Sequence, residues 1–231
     1  MSSYDNLTDE EYLNHPKITS LNKTQRIMTN IVKNIRAQQE AEKRKVDEDA
    51  FYQKAKSMIC SPSHEGKTDY AYLDSLNLRT VGCGNNVNTW DRYNNINWYK
   101  PDGSLPTENE KRMNFNSFNP YYNKNYKSEY FKNVSDLRIS DEENDRLFRI
   151  QYDQNIDRIK KYIPNYDRLP ENTRLGLFSH AYNLKPKSYS EFNNMFKALQ
   201  RGDLETAAKE SQYRGASDER VAEIQQLIRN R

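Results

Sequence analysis

His64-Glu65-Gly66, then Tyr72-Leu73-Asp74-Ser75, then Arg79-Thr80-Val81-Gly82-Cys83-Gly84 form the stretch that decides the fold. Two carboxylates stand nine residues apart, with a threonine six residues beyond the second. Upstream, Phe51 to Ile59 has helical character that the spacing extends to Glu65, broken by Pro62. An interior proline removes a hydrogen bond and clashes with the preceding turn, so Ser61 is expected as an N-cap and Pro62 as the first residue of a short final turn. Gly66 suits a left-handed C-terminal cap. Downstream, Tyr70 to Asp74 and Thr80 to Gly84 alternate in character. With Asp74 opposite Thr80, Tyr72 and Gly82 share their face while Leu73, Val81 and Cys83 share the other, as a half-buried hairpin requires. A helix end then faces a hairpin across a cleft.

Two acids so placed suit hydrolysis of a glycosidic bond, which needs a proton donor on the leaving oxygen and a second carboxylate that activates water or attacks directly. The two must differ in environment. Glu65 is the donor candidate, because a helix C-terminus and partial burial both oppose its ionisation. The dipole contributes only about 0.3 to 1 kcal/mol, so burial must supply most of the shift. Asp74 stays ionised on the open hairpin face, where the Thr80 hydroxyl shares a water with it. Both acids are also ordinary at a helix end and a strand end, so spacing alone leaves a packing role as the alternative.

The 231 residues allow one domain of ordinary size plus an extension, with 35% hydrophobic and 30% charged residues. The apolar residues crowd between positions 140 and 230, which implies a compact C-terminal part and a wetter N-terminal half. No apolar run approaches the roughly 20 residues of a membrane span. Met1 to Glu11 is acidic and polar and has no basic region followed by an apolar one, so the expectation is a protein left in a cytoplasm unless another device exports it. A net charge of +3 does not argue for nucleic acid. Basic residues cluster only at Lys17, Lys23, Arg26, Lys33, Arg36, Lys43, Arg44 and Lys45, against Glu40 and Glu42. Cys60 and Cys83 do not make a secreted disulfide framework and are expected as reduced, partly buried thiols.

Residues 1–16 read as a disordered acidic tail. Leu21, Met28, Ile31, Val32 and Ile35 form a narrow stripe on a basic helix over about 18–46, suited to docking on the rest of the molecule, a partner helix or an anionic surface. Residues 85–138, crowded with Asn, Tyr, Phe and Trp, show only turns and short pieces. Ser140-Asp141-Glu142-Glu143 is a capping box opening a helix whose stripe of Phe148, Tyr152, Ile156, Ile159 and Ile163 runs to Pro164. Helices are expected over about 171–183, 190–201 stopped by Gly202, 203–211 capped by Asp203 and 217–229 capped by Ser217.

Glu-Gly, a following Tyr-Leu-Asp and then Thr-Val-Gly-Cys-Gly resemble the phage-type lysozymes. The resemblance covers about residues 51–229 at low identity, with Ser140–Ile163 like the interlobe helix, Leu175–Asn183 like the central C-terminal helix and Phe192–Glu210 like the helix pair that follows. It implies an α+β fold of two lobes, a small sheet lobe and a helical C-terminal lobe joined by a long helix. It also implies a muramidase that cleaves between N-acetylmuramic acid and N-acetylglucosamine in peptidoglycan, usually with inversion and without metal or other cofactor. Glu65 would protonate the leaving oxygen while Asp74 and Thr80 position water. Ser179, Asn183 and Arg220 fall where the family places cleft groups, and Tyr72 joins them as a substrate-binding candidate. Residues 1–50 form an extension and 85–138 an insertion beyond the family's minimal fold, so the domain would span 51–231. About half of the insertion's aromatics (Trp90, Tyr93, Trp98, Tyr99, Phe115, Phe118, Tyr121, Tyr122) are expected as local core, the others being free to stack on sugars. The implied setting is a host bacterial cytoplasm before lysis, or a virion, with action on the wall in the periplasm. The alternative is a virion or assembly protein carrying a lysozyme-like module, with the extension as its docking part.

Overall fold

Helix α1 runs from Lys23 to Ile59 without a break, longer than either helical piece read from the sequence. This computed structural model describes residues 8, 10–11, 23–184 and 186–230, so most of the acidic tail, and Leu21, lie outside the described residues. The chain divides into two units, residues 1–51 and 52–231. In the first, Ile27, Met28, Ile31, Val32 and Ile35 are all exposed.

The second unit is α+β and holds two hydrophobic cores. Strands β1 (Thr68–Leu73), β2 (Arg79–Gly82) and β3 (Asn85–Asn86) make an antiparallel sheet in that order, and β4 (Trp98–Tyr99) pairs with β5 (Arg138–Ile139). Between them lie helices α2 (Trp90–Asn94) and α3 (Glu108–Ser117). The sequence carries the start of α3 in Thr107 and Glu110, a reciprocal capping box, but the helix is so polar that apolar periodicity misses it. Seven of the eight insertion aromatics belong to or pack on the first core, with Tyr93, Trp98 and Phe118 fully buried. They replace the aliphatic residues this segment lacks, and the expectation that half were free corrects to a packed aromatic core. Arg79 pins that core to β2. Its buried guanidinium lies 3.9 Å from the Phe115 ring centre and donates to Phe115 O and Asn119 Oδ1.

Helix α4 (Asp141–Tyr162) is capped as expected, with Ser140 Oγ accepting from the Glu143 amide. Acidic residues in its first turn and Lys160 and Lys161 in its last complement the helix dipole. The other half of the capping box does not form. Glu143 is buried and accepts from Asn97 N, Asn97 Nδ2 and Arg146, a stronger set of partners than the cap amide, and so ties α4 to the insertion. The last turns of α1 lie on α4 through Tyr52, whose ring centre is 5.6 Å from Phe148 and 5.0 Å from Tyr152. Tyr52, Ala55 and Ile59 are buried, and each large side chain contributes about 1.5 to 3 kcal/mol.

Helices α5 (Glu171–Asn183), α6 (Pro186–Tyr189), α7 (Asn193–Gln200), α8 (Leu204–Lys209) and α9 (Asp218–Arg229) build the second core around Phe178, Met195, Leu199, Ala207 and Ile224. Asp203 and Ser217 cap α8 and α9 as read from the sequence. The expected helix over 190–201 is shorter and starts later, as α7 at Asn193, because residues 190–192 form a turn after α6.

The reading of Cys60 and Cys83 as reduced thiols is corrected: they are joined in a disulfide, with Cα atoms 5.0 Å apart. Cys60 follows the last turn of α1 and Cys83 follows β2. The antiparallel return of β2 along β1 brings the two ends to a separation that a disulfide spans, a proximity that 23 residues of sequence do not reveal.

Candidate functional site

Helix α1 ends at Ile59, and residues 60–65 form turns, so Glu65 does not close a helix. Ser61 does not cap with its side chain. Its carbonyl gathers the amides of His64 and Gly66 at 3.0 and 2.9 Å, while its hydroxyl donates to Met58 O. The Glu65 amide reaches back to Ile59 O at 3.1 Å, and Gly66 takes the left-handed conformation at φ 69°. With the helix finished six residues earlier, its dipole does not act end-on at Glu65. Burial raises the Glu65 carboxyl above its usual range, Arg220 opposes that shift and Asp74 adds to it.

The hairpin register differs from the one read in the sequence. Tyr72 pairs with Thr80 and Leu73 with Arg79, which puts Asp74 at the turn instead of opposite Thr80. Local hydrogen bonds decide this. Asp74 Oδ1 accepts from the amides of Leu76 and Leu78 at 2.9 and 2.8 Å, the Asp74 amide donates to Leu78 O, and Asn77 supplies the left-handed residue at φ 59°. The change amounts to two residues. An even slip keeps every side chain on its face, so Tyr72, Asp74 and Thr80 remain together.

Thr80 is buried, and its Oγ1 lies 3.3 Å from Asp74 Oδ2 and 3.1 Å from Leu78 O. A hydroxyl has one hydrogen. When it donates to Leu78 O, its lone pairs are left to accept from a donor placed beside Asp74 Oδ2.

Tyr72 is buried on β1, its hydroxyl held protonated by burial and by the charges of Glu65 and Asp74. Arg220, half-buried on α9, lowers the Glu65 pKa through its charge. Asn183 ends α5, and its Nδ2 donates to Ser179 O at 2.7 Å. Ser179 is itself fully buried and, like Tyr72 and Thr80, is not among the residues that line the cavity described next. An open cavity of about 850 Å³ is lined by Ser63, Ser75 and Leu76, close in the chain to the two acids, and by Asn183, Tyr213 and Arg220; Glu65, Asp74 and Thr80 themselves are not among its lining residues. No group of His, Cys, Asp and Glu among the described residues is arranged to hold a metal.

Sequence reasoning missed several neighbours. Tyr182 donates from its hydroxyl to Cys83 O at 2.5 Å; burial raises its pKa and the Glu65 charge adds to that, while at Tyr213 burial raises the pKa, Arg220 opposes it and Glu65 adds a smaller push upward. Gly84, at φ 84°, is the wall behind the acid: a Cβ there would stand 3.0 Å from Glu65 Oε2. His64 is almost wholly shielded, with Nε2 3.2 Å from Glu223 Oε2 and Nδ1 near the Ser61 and Ser63 hydroxyls. Its burial and the Arg220 charge lower its pKa, and Glu223 opposes them. Only the Gly-Cys-Gly run signalled any of this in the sequence. No protein-family model matches the chain, and no curated protein matches it.

Proposed function

We propose that the chain is a peptidoglycan hydrolase, a muramidase cleaving between N-acetylmuramic acid and N-acetylglucosamine by acid-assisted attack of water. One observation carries the reading: at Glu65 burial raises the carboxyl above its usual range, the Asp74 carboxyl acts on it, and Asp74 in turn holds the Thr80 hydroxyl at 3.3 Å. The resemblance of these residues to the phage-type lysozymes supplies the substrate class. Glu65 gives its proton to the glycosidic oxygen as the bond to the anomeric carbon breaks. Water held between Asp74 and Thr80 adds to that carbon from the other face and passes a proton to Asp74. Arg220 stabilises the carboxylate that Glu65 becomes. Asn183 borders the path of the glycan, and Tyr72 packs beside the two acids. The enzyme acts on the wall in the periplasm, reached from a host cytoplasm at lysis or from a virion. The exposed stripe of the first unit supports a docking role for the extension and, as a second reading, an assembly protein that carries this module.

Purified protein on isolated sacculi tests the proposal. New reducing ends with inverted anomeric configuration are expected, and Glu65→Gln should lower the rate by roughly 10² to 10⁴ with an unchanged circular dichroism spectrum. A Glu65→Gln protein as active as the parent sinks the assignment of the acid. Retained configuration, or a glycosyl adduct on Asp74, sinks the water mechanism. Intact virions that contain the protein but need no wall cleavage to infect would favour the second reading.

A further inference from the structure

We propose that the Cys60–Cys83 disulfide is a positioning element of this site and that its reduction switches the site off, an inference that rests on the muramidase reading for its activity assay. The bond closes a covalent ring over residues 60–83, and Glu65, Asp74 and Thr80 all lie within that ring. It joins the turn that carries Glu65 to the end of the strand that carries Thr80. Cys83 is fully buried, its carbonyl accepts from Tyr182 and its sulfur takes the Asn144 amide nitrogen at 3.6 Å. The next residue, Gly84, touches the Glu65 carboxylate, so whatever moves Cys83 moves the wall behind the acid. That wall is bare backbone. Gly82 and Gly84 flank the cysteine with left-handed φ values of 64° and 84° and lie close to Asn144 and Glu65, and with glycine's backbone freedom on both sides of Cys83 the covalent link is what ties this wall to the Glu65 turn.

Cys60 is half-buried whereas Cys83 is shielded, so a dithiol reductant has its opening at the Cys60 sulfur. Its thiolate attacks that sulfur and breaks the S–S bond, and Cys83 leaves as a thiolate that takes up a proton. The reductant's second thiolate then displaces Cys60, which also leaves as a thiol, and the reductant ends as its own cyclic disulfide. In a reducing cytoplasm the Glu65 turn and the Gly84 wall are free to separate. In an oxidising periplasm the bond forms and the acid is set in place.

The test compares the full chain, oxidised and then treated with dithiothreitol until two thiols are titrated per molecule. Sacculus hydrolysis, the titration of the Glu65 carboxyl by ¹³C NMR and far-ultraviolet circular dichroism are followed together. Reduction should lower kcat by roughly 10- to 100-fold, the scale of an ångström-sized misplacement, with a smaller change in KM. The Glu65 pKa should fall towards the ordinary glutamate range as its burial loosens, while the helical signal stays, and reoxidation should restore all three. A Cys60→Ser, Cys83→Ser double variant should start slow and not respond to the reductant. Equal rates and an unmoved Glu65 titration with both thiols free overturn the proposal. So does loss of the helical signal at the assay temperature, which would make the bond a support of the whole fold. An oxidised protein inert on sacculi whose Glu65 titration still moves on reduction would sink the muramidase reading and leave the positioning role standing.

Discussion

Gly84→Ala should injure the site and the fold by separable amounts. At φ 84° the backbone sits where an L side chain is strained, a cost of about 1 to 2 kcal/mol for a residue other than glycine. The added methyl would also meet Glu65, at 3.0 Å from Oε2, 3.1 Å from Cγ and 3.3 Å from Cδ. All three atoms belong to one flexible side chain, so the carboxyl swings aside and the backbone stays. It need move only a few tenths of an ångström, but in doing so it leaves the direction of the glycosidic oxygen. A domain of this size loses about 2 to 4 °C of melting temperature per kcal/mol, so scanning calorimetry should show a fall of about 2 to 8 °C. Steady-state kinetics on solubilised glycan strands should show kcat down by about tenfold at a nearly constant KM, since the wall bears on the acid and not on substrate affinity. A variant with reduced Tm but unchanged kcat would mean that Gly84 serves the turn alone. One with neither changed would refute the contact between Gly84 and the acid.

Two further outcomes follow from buried ionisable groups. Glu65 has a folded pKa raised by burial, so the folded state holds its proton more tightly than the unfolded state does. The stability this contributes is full below the ordinary glutamate pKa of 4.5 and is lost as pH rises through the folded value. Glu65→Gln should therefore melt higher than the parent at pH 7 and no higher at pH 4; a variant destabilised equally at both would contradict the burial. His180 is buried on α5 among the rings of Tyr189, Phe192 and Tyr213, and burial lowers its pKa from 6.5 to about 4, opposed by the Ser211 backbone and aided by the Arg158 charge. The imidazole is neutral in both states above 6.5, and from there down to 4 the unfolded chain takes up a proton that the folded one refuses. Up to about 3 kcal/mol should be lost over that window. His180→Gln should flatten the dependence of Tm on pH, and an unaltered slope would place the loss elsewhere.

Much of the helical part was legible because its signals are local. Ser140, Asp203 and Ser217 cap their helices from the positions the sequence gives them, and Pro164 follows the end of α4, since a cap or a proline acts on amides within one turn. The shared face of Tyr72, Asp74 and Thr80 was legible too, because alternation survives a slip of two residues. What the sequence alone determined, then, was which side chains share a helix or a strand face. Tertiary structure decided the rest. Asp74 took the turn because its own oxygen could bind the Leu76 and Leu78 amides, a choice that alternation does not express. Glu143 left its capping box for Asn97 and Arg146, which are near only once the insertion has folded. The raised carboxyl of Glu65, the wall at Gly84 and the pairing of Cys60 with Cys83 all depend on distances between segments far apart in the chain. Such distances are set when apolar surfaces close over one another, and burial is a property of the closed molecule that no residue carries by itself.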